Sequence, residues 1–167
     1  MPSQMLWTLA ATFMTHTSDL YLEFTDAGDL IRIEPLSLTY PNGQLDWDRN
    51  WIKTWVTVKG GVFSGQFAAE FMTTDFEVFK QQLKKLDNDF NGTATFEPLE
   101  GQLILKIKGD GLGHFELDCE ATPEPHLGQT LSFSISFDQT QIKEYVRQLD
   151  KITKKFPIDG DFKIKNE

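Results

Sequence analysis

Twice, 66 residues apart, the chain runs from an alternating apolar–polar stretch straight into a long amphipathic pattern. Phe67, Phe71, Thr74, Gln82, Leu83, Lys85 and Phe90 recur as Phe133, Phe137, Thr140, Gln148, Leu149, Lys151 and Phe156, seven identities in 24 ungapped positions. Phe76 and Leu86 meet Ile142 and Ile152 in the same frame. A strand that leads directly into a helix with one oily stripe is satisfied only when the helix folds back onto sheet. The repeat predicts two similar helices on equivalent parts of one curved sheet, whether or not it records a true duplication.

The first helix is expected over about 75–90. Thr74 with Glu77 has the form of a capping box, and Phe76, Phe79, Leu83, Leu86 and Phe90 share one stripe at helical spacing. Asn91-Gly92 supplies a left-handed stop. Burying those five side chains is worth roughly 1.5–3 kcal/mol each before entropy. The second helix is expected over about 139–156, capped by Asp138 or Thr140 and ended by Pro157. Its stripe is Ile142, Tyr145, Val146, Leu149, Ile152 and Phe156.

The rest of the chain reads as strands. "DLYLEF" and "DLIRIEP" flank the turn "TDAGD", and "LSLTY" ends at Pro41-Asn42-Gly43. Later come "TATFEPL", "QLILKIK", "HFELDCEA" and "LSFSISF", with Phe115, Leu117, Cys119 and Ala121 turned inward, as are Leu131, Phe133, Ile135 and Phe137. Such alternation belongs to antiparallel sheet with one wet face. Within "DWDRNWIKTWVTVKGG" two periods compete, since Trp47, Trp51 and Trp55 are four apart while Ile52, Thr54, Val56 and Val58 alternate. The β-branched cluster and Gly60-Gly61 decide for a strand from about Trp51 to Lys59 and a hairpin into Val62–Met72. Trp51 and Trp55 then share a face, and either a helix covers them or they are exposed. The expected architecture is α+β: a single domain over 1–167 in which an antiparallel sheet or sandwich of about eight or nine strands carries the two helices.

The net charge of −9 disfavours nucleic acid and anionic membranes as partners and favours solubility or a basic partner. A lone cysteine, Cys119, provides no intrachain disulfide and suits the cytoplasm. "MLWTLAATFM" (Met5 to Met14) resembles a signal segment, but no Lys or Arg precedes it, so residues 1–15 are read as an N-terminal extension. "GDGLGH" is followed by a strand pattern, not a helix, so it is a hairpin and not a phosphate loop. His16, His114 and His126 lie apart without ligand spacing, and neither a metal, a cofactor nor a catalytic set is expected. The row His114, Glu116, Asp118, Glu120 is a solvated strand face or an acidic docking face. Asp46, Asp48 and Arg49 are expected to cap a turn.

Several stretches taken in order resemble the bacterial WapI-type immunity proteins: "DRNWI" (Asp48 to Ile52), "GGVFSG" (Gly60 to Gly65), "TTDFEVFKQQL" (Thr73 to Leu83), "GTATFEPLEGQLIL" (Gly92 to Leu105), "GDGLGH" (Gly109 to His114), "LSFSISFDQTQI" (Leu131 to Ile142) and "FP" (Phe156 and Pro157). The resemblance covers residues 48–157. Gln141-Ile142 after "DQT" depart from the family's bulkier residues. The resemblance implies a cytoplasmic, non-enzymatic protein that binds and neutralises a toxin domain. A basic toxin would suit the charge, and the expected contacts are Asp46, Asp48, Arg49, Trp51, Trp55, Glu116, Asp118 and Glu120. Two rival readings stay open: a small-ligand or carbohydrate binder that stacks its ligand on Trp51 and Trp55, and a self-associating protein with a sheet face as the homodimer contact.

Overall fold

A computed structural model describes residues 18–162, so the N-terminal extension lies outside the described residues. Four strands form the first sheet in the order β1 (Leu22–Asp26), β2 (Asp29–Leu38), β3 (Trp51–Gly60) and β4 (Phe63–Met72). A single helical turn, α1 (Asp46–Arg49), interrupts the connection between β2 and β3. Helix α2 (Thr73–Asp89) leads to a second sheet in the order β5 (Asn91–Phe96), β6 (Leu103–Asp110), β7 (His114–Ala121) and β8 (Leu131–Asp138), and α3 (Gln139–Lys155) closes the fold. All pairings are antiparallel. The one curved sheet that the repeat suggested is therefore two four-stranded sheets of identical topology, each ending in a helix of 17 residues.

The helices begin at equivalent positions but not where the Thr74–Glu77 pattern placed the first. The Asp75 carboxylate accepts the Met72 N–H at 2.7 Å, and the Gln141 side chain accepts the Asp138 N–H at 3.1 Å. Asp138, as expected, also accepts the Thr140 N–H. At the far end α2 stops one residue earlier than Asn91-Gly92, because Phe90 itself takes the left-handed conformation at φ 55°.

Each helix clamps the opposite sheet. Gln82 on α2 accepts the outward N–H of Thr95 on edge strand β5 at 2.7 Å. Its counterpart Gln148 on α3 accepts the outward N–H of Glu23 on edge strand β1 at 2.9 Å. Aromatic rings repeat the exchange. Phe96 on β5 packs at 5.2 Å from Phe71 (β4) and 5.6 Å from Phe79 (α2). Phe24 on β1 packs at 6.2 Å from Phe137 (β8) and 4.4 Å from Tyr145 (α3). Where the helices meet, Lys84 and Asp150, themselves 66 apart, form an ion pair at 3.1 Å. One apolar core runs through both halves. Leu131 and Phe133 are only partly buried against it, because the start of β8 reaches the rim of the core.

Asn50 ties α1 to this frame. Wholly buried, it donates to the carbonyls of Asp46 and Asp159, each at 2.7 Å, and accepts from the Thr73 hydroxyl and the Asp159 N–H. Replacing it by Ala removes four hydrogen bonds, one of them to buried Thr73, so Asn50→Ala is expected to cost about 2–4 kcal/mol, read as a lowered midpoint in urea unfolding. A loss below about 0.5 kcal/mol would contradict the network's role.

Burial raises the Asp75 carboxyl to about 6, against the opposing hydrogen bond from Met72. The folded state thus holds a proton that the unfolded chain releases near pH 4. Stability is expected to fall as pH rises from about 4 to 6 and to stay lowered above that. In Asp75→Asn, which keeps an acceptor for the Met72 N–H, this slope flattens and stability at pH 7 rises, on the order of 1–3 kcal/mol. An unchanged slope in pH-dependent thermal melts would exclude Asp75 as its source.

Candidate functional site

The expected contact residues fall on two different surfaces. Asp46, Asp48, Arg49, Trp51 and Trp55 belong to α1 and the outer face of the first sheet. Glu116, Asp118 and Glu120 stand on the outer face of the second.

The first surface is a ridge. Competing helical and strand periods both survive there, in sequence: Asp46 to Arg49 make the helical turn, and the strand begins at Trp51. Arg49 pairs with Asp46 and, across 110 residues, with Asp159 at 2.9 Å, and donates to the Gly43 carbonyl at 3.1 Å. Its guanidinium holds the Asp159 carboxyl below the usual carboxylate range. The side chains of this segment thus secure one another more than they cap backbone. Gly43 is needed there, because a Cβ would lie 2.6 Å from the Asp48 Cβ. The ridge carries Trp47, 46% exposed, with Tyr40 and Leu45 also exposed. Trp47 stands edge-on to half-buried Trp51 at 6.0 Å and near Phe162 at 6.3 Å. Reading for strand period alone passes over Trp47; its signal was Trp between two aspartates after a Pro-Asn-Gly turn.

Trp51 and Trp55 are both half-buried. Trp55 forms one wall of a cleft of about 600 Å³ with Leu36, Ala68 and Glu70, closed on the far side by Glu100, Gln102 and His126, and no residue of α2 or α3 lines it. Trp51 does not line it; that ring stands against Trp47 instead. Beside Trp55 on the same face, buried Glu34 and half-buried Glu23 both pair with Arg32, whose guanidinium also lies 3.9 Å above the Tyr21 ring.

The second surface is striped, not uniformly acidic. In register, Lys108 stands opposite Glu116 and Lys106 opposite Asp118, with Ser136 and Ser134 on the other flank. Ser134 donates to Asp118 at 2.7 Å. Only Glu120, between Ile104 and Ser132, has no cation opposite. At one end lies an open cleft of about 630 Å³ beside His114, whose Nδ1 is 2.9 Å from Asp110. Asp110 is held low, first by the Leu112 N–H and then by His114. Among the described residues no hydroxyl or thiol is hydrogen-bonded to this imidazole, and no group of three or more His, Cys, Asp or Glu is arranged to hold a metal. Cys119 faces the core, where burial pushes its thiol up to about 12. Among the described residues no helix is long and apolar enough to cross a membrane.

A solved structure, that of the plant transcriptional regulator PBF-2, is similar at 13% identity with a TM-score of 0.48 over 84% of each chain, too remote to bear on function. No curated protein matches. A family model described as the immunity protein WapI-like family matches residues 22–157, from the first residue of β1 to just past α3. The match takes in both sheets and all three helices, and with it the chain belongs to the WapI-like immunity protein family.

Proposed function

We propose that this protein is a non-enzymatic, cytoplasmic binder that neutralises a toxin domain, and that the ridge of α1 is the centre of its contact face. Family membership supports toxin neutralisation. The observation that carries the choice of surface is that Trp47, with Asp46 and Asp48 on either side, is exposed on a segment whose backbone is locked from within by Asn50 and Arg49. An exposed aromatic costs little entropy to bury when its support is already rigid, and centrally placed Trp and Arg anchor interfaces more often than other residues. The aspartates give the rim a sign that attracts a basic partner and speeds encounter. The striped second sheet, with lysines facing two of its three acids, is the weaker candidate and is assigned an auxiliary, long-range role.

The test is binding to the toxin domain encoded beside this chain's gene, measured by calorimetry and by protection of the toxin's target. Trp47→Ala is expected to weaken the complex by 10–100-fold, in keeping with about 2 kcal/mol for an interface anchor. Asp48→Lys is expected to slow association, more at low salt than at high. Charge reversal at 116, 118 and 120 together is expected to change the association rate and leave dissociation nearly unaltered. Absence of binding by the unaltered chain would remove the reading, and wild-type affinity in Trp47→Ala would remove the ridge from it.

A further inference from the structure

Two four-stranded sheets have four edges, and the edge strands treat their outward backbone groups differently. On β1 the Glu23 N–H is taken by Gln148, on β5 the Thr95 N–H by Gln82, and on β8 the Ser136 N–H by Asp26 at 3.3 Å. Strand β8 is further covered by β1 and β3, with the Phe133 ring set where a Cβ on Gly60 would be. The fourth edge, β4, has no such cover. Its two-residue hairpin with β3 pairs Phe63 with Gly60, so the N–H groups of Ser64, Gln66, Ala68 and Glu70 point away from the sheet. Among the described residues none of these four donors has an acceptor. The one bond to this edge is the Gln102 amide, which donates to the Ala68 carbonyl at 3.5 Å.

The internal repeat shows why. Glu70 is the counterpart of Ser136, 66 residues earlier. Since Thr95 and Glu23 play the same part, Asp26, which closes the β8 edge, corresponds to Pro98, whose side chain accepts nothing. Nor does β4 carry the usual protections of a bare edge: in FSGQFAAEFM there is no Lys, no Pro and no bulge. Clefts line it instead. The 600 Å³ cleft of Trp55 borders Ala68 to Glu70, and one of about 290 Å³ borders Phe63 to Gly65 and Phe67, with Leu131 opposite. Loop residues of the second half, Gln102 and Pro123 among them, form the far wall, so the space beside β4 is bounded on both sides.

We propose that the β4 edge receives an extended segment of the toxin domain as a fifth strand of the first sheet. This deepens the immunity reading and rests on it. The four outward donors and their carbonyls supply the main-chain ladder, and the two clefts take apolar side chains from alternate positions of the incoming strand. Glu70 is the only charged residue on β4; it stands in register opposite Lys53, which lines the larger cleft with it, and it accepts from the Thr39 hydroxyl, so Glu100 on the far wall leaves that cleft with an excess of acid. With a chain of net charge −9, that excess favours an incoming strand bearing Lys or Arg near that end. A second copy of this chain fits worse: it would bring the same negative charge and a whole sheet to a space walled by loops.

Amide hydrogen exchange on the intact protein reads the proposal directly. In the free protein the amides of Ser64, Gln66, Ala68 and Glu70 are expected to exchange fast, while those of Gly65, Phe67 and Ala69, bonded to β3, exchange slowly. On adding the toxin domain encoded beside this gene, the four fast amides are expected to slow by more than tenfold. Gln66→Pro, which removes an outward donor and no main-chain bond to β3, losing only the 3.3 Å side-chain bond to Thr57, is expected to weaken the complex at least tenfold with its melting temperature nearly kept. A complex that forms without protecting those amides would overturn the edge assignment and leave the immunity reading standing. No complex at all would overturn both. Protection that grows with protein concentration in the absence of toxin would assign the edge to a second copy and overturn the toxin strand.

Discussion

Two aromatic triads hold the molecule in its one arrangement. In each, a ring from the first strand of a sheet sits between a ring from the last strand of the other sheet and a ring from the helix that follows it: Phe96 with Phe71 and Phe79, Phe24 with Phe137 and Tyr145. A sheet that has one apolar face cannot stand alone in water, and here neither sheet buries its face with its own helix alone. Each half contributes the cover that the other lacks. The glutamines at 82 and 148 add direction to this nonpolar attraction, because an unmet edge N–H beside the core costs more than the net value of one hydrogen bond. Together they fix which strand each helix may approach.

Much of this was legible in the chain. The 66-residue frame predicted equivalent helices, and the equivalence extends to details that no periodicity encodes, such as carboxamides at 82 and 148 performing the same bond. Alternation placed β6, β7 and most of β8 correctly. What it could not supply was the break between two sheets, since a strand's pattern records which face is wet and not which sheet it joins. The cap of α2 was misplaced for a related reason. Thr74 and Glu77 have the right spacing, but β4 runs into the helix without a loop, so the cap falls at Met72 and the acceptor is Asp75. Trp51 and Trp55 share a face as the strand period requires, yet only Trp55 meets a cleft, because the loops that build its far wall come from the second half of the chain.

The candidate surface shows the same division. Asp46 and Arg49 were readable as a turn, but their partner Asp159 lies 110 residues on and carries no local signal. Buried Asn50 depends on both ends at once, with its two carbonyl acceptors on α1 and on the tail after α3. The acidic row at 116, 118 and 120 reads in sequence as a solvated or a docking face, and register adds what sequence omits, Lys108 opposite Glu116 and Lys106 opposite Asp118. Charge on a strand acquires its meaning from the neighbouring strand, which sequence order does not name.

Symmetry and its failure then separate structure from function in this fold. Wherever the two halves agree, the shared residues serve the core: capping side chains, aromatic rings, edge-closing amides. Where they part, some residues still serve the frame, as Asn50 and Asp26 do, and others reach the surface. The first half alone inserts α1 with its exposed tryptophan, and the first half alone leaves its last strand open where the second is sealed by Asp26. Trp51 pairs in register with Met72 and Trp55 with Ala68, so the β3 strand that begins beside the ridge also runs alongside the open edge. On the proposed reading, an aromatic anchor and a row of main-chain donors would supply complementary kinds of recognition, one a deep but unspecific gain on burial, the other a directional constraint on the partner's backbone. Both features lie on the first sheet, and each is steadied from the second half of the chain, the ridge by Asp159 and the open edge by Gln102.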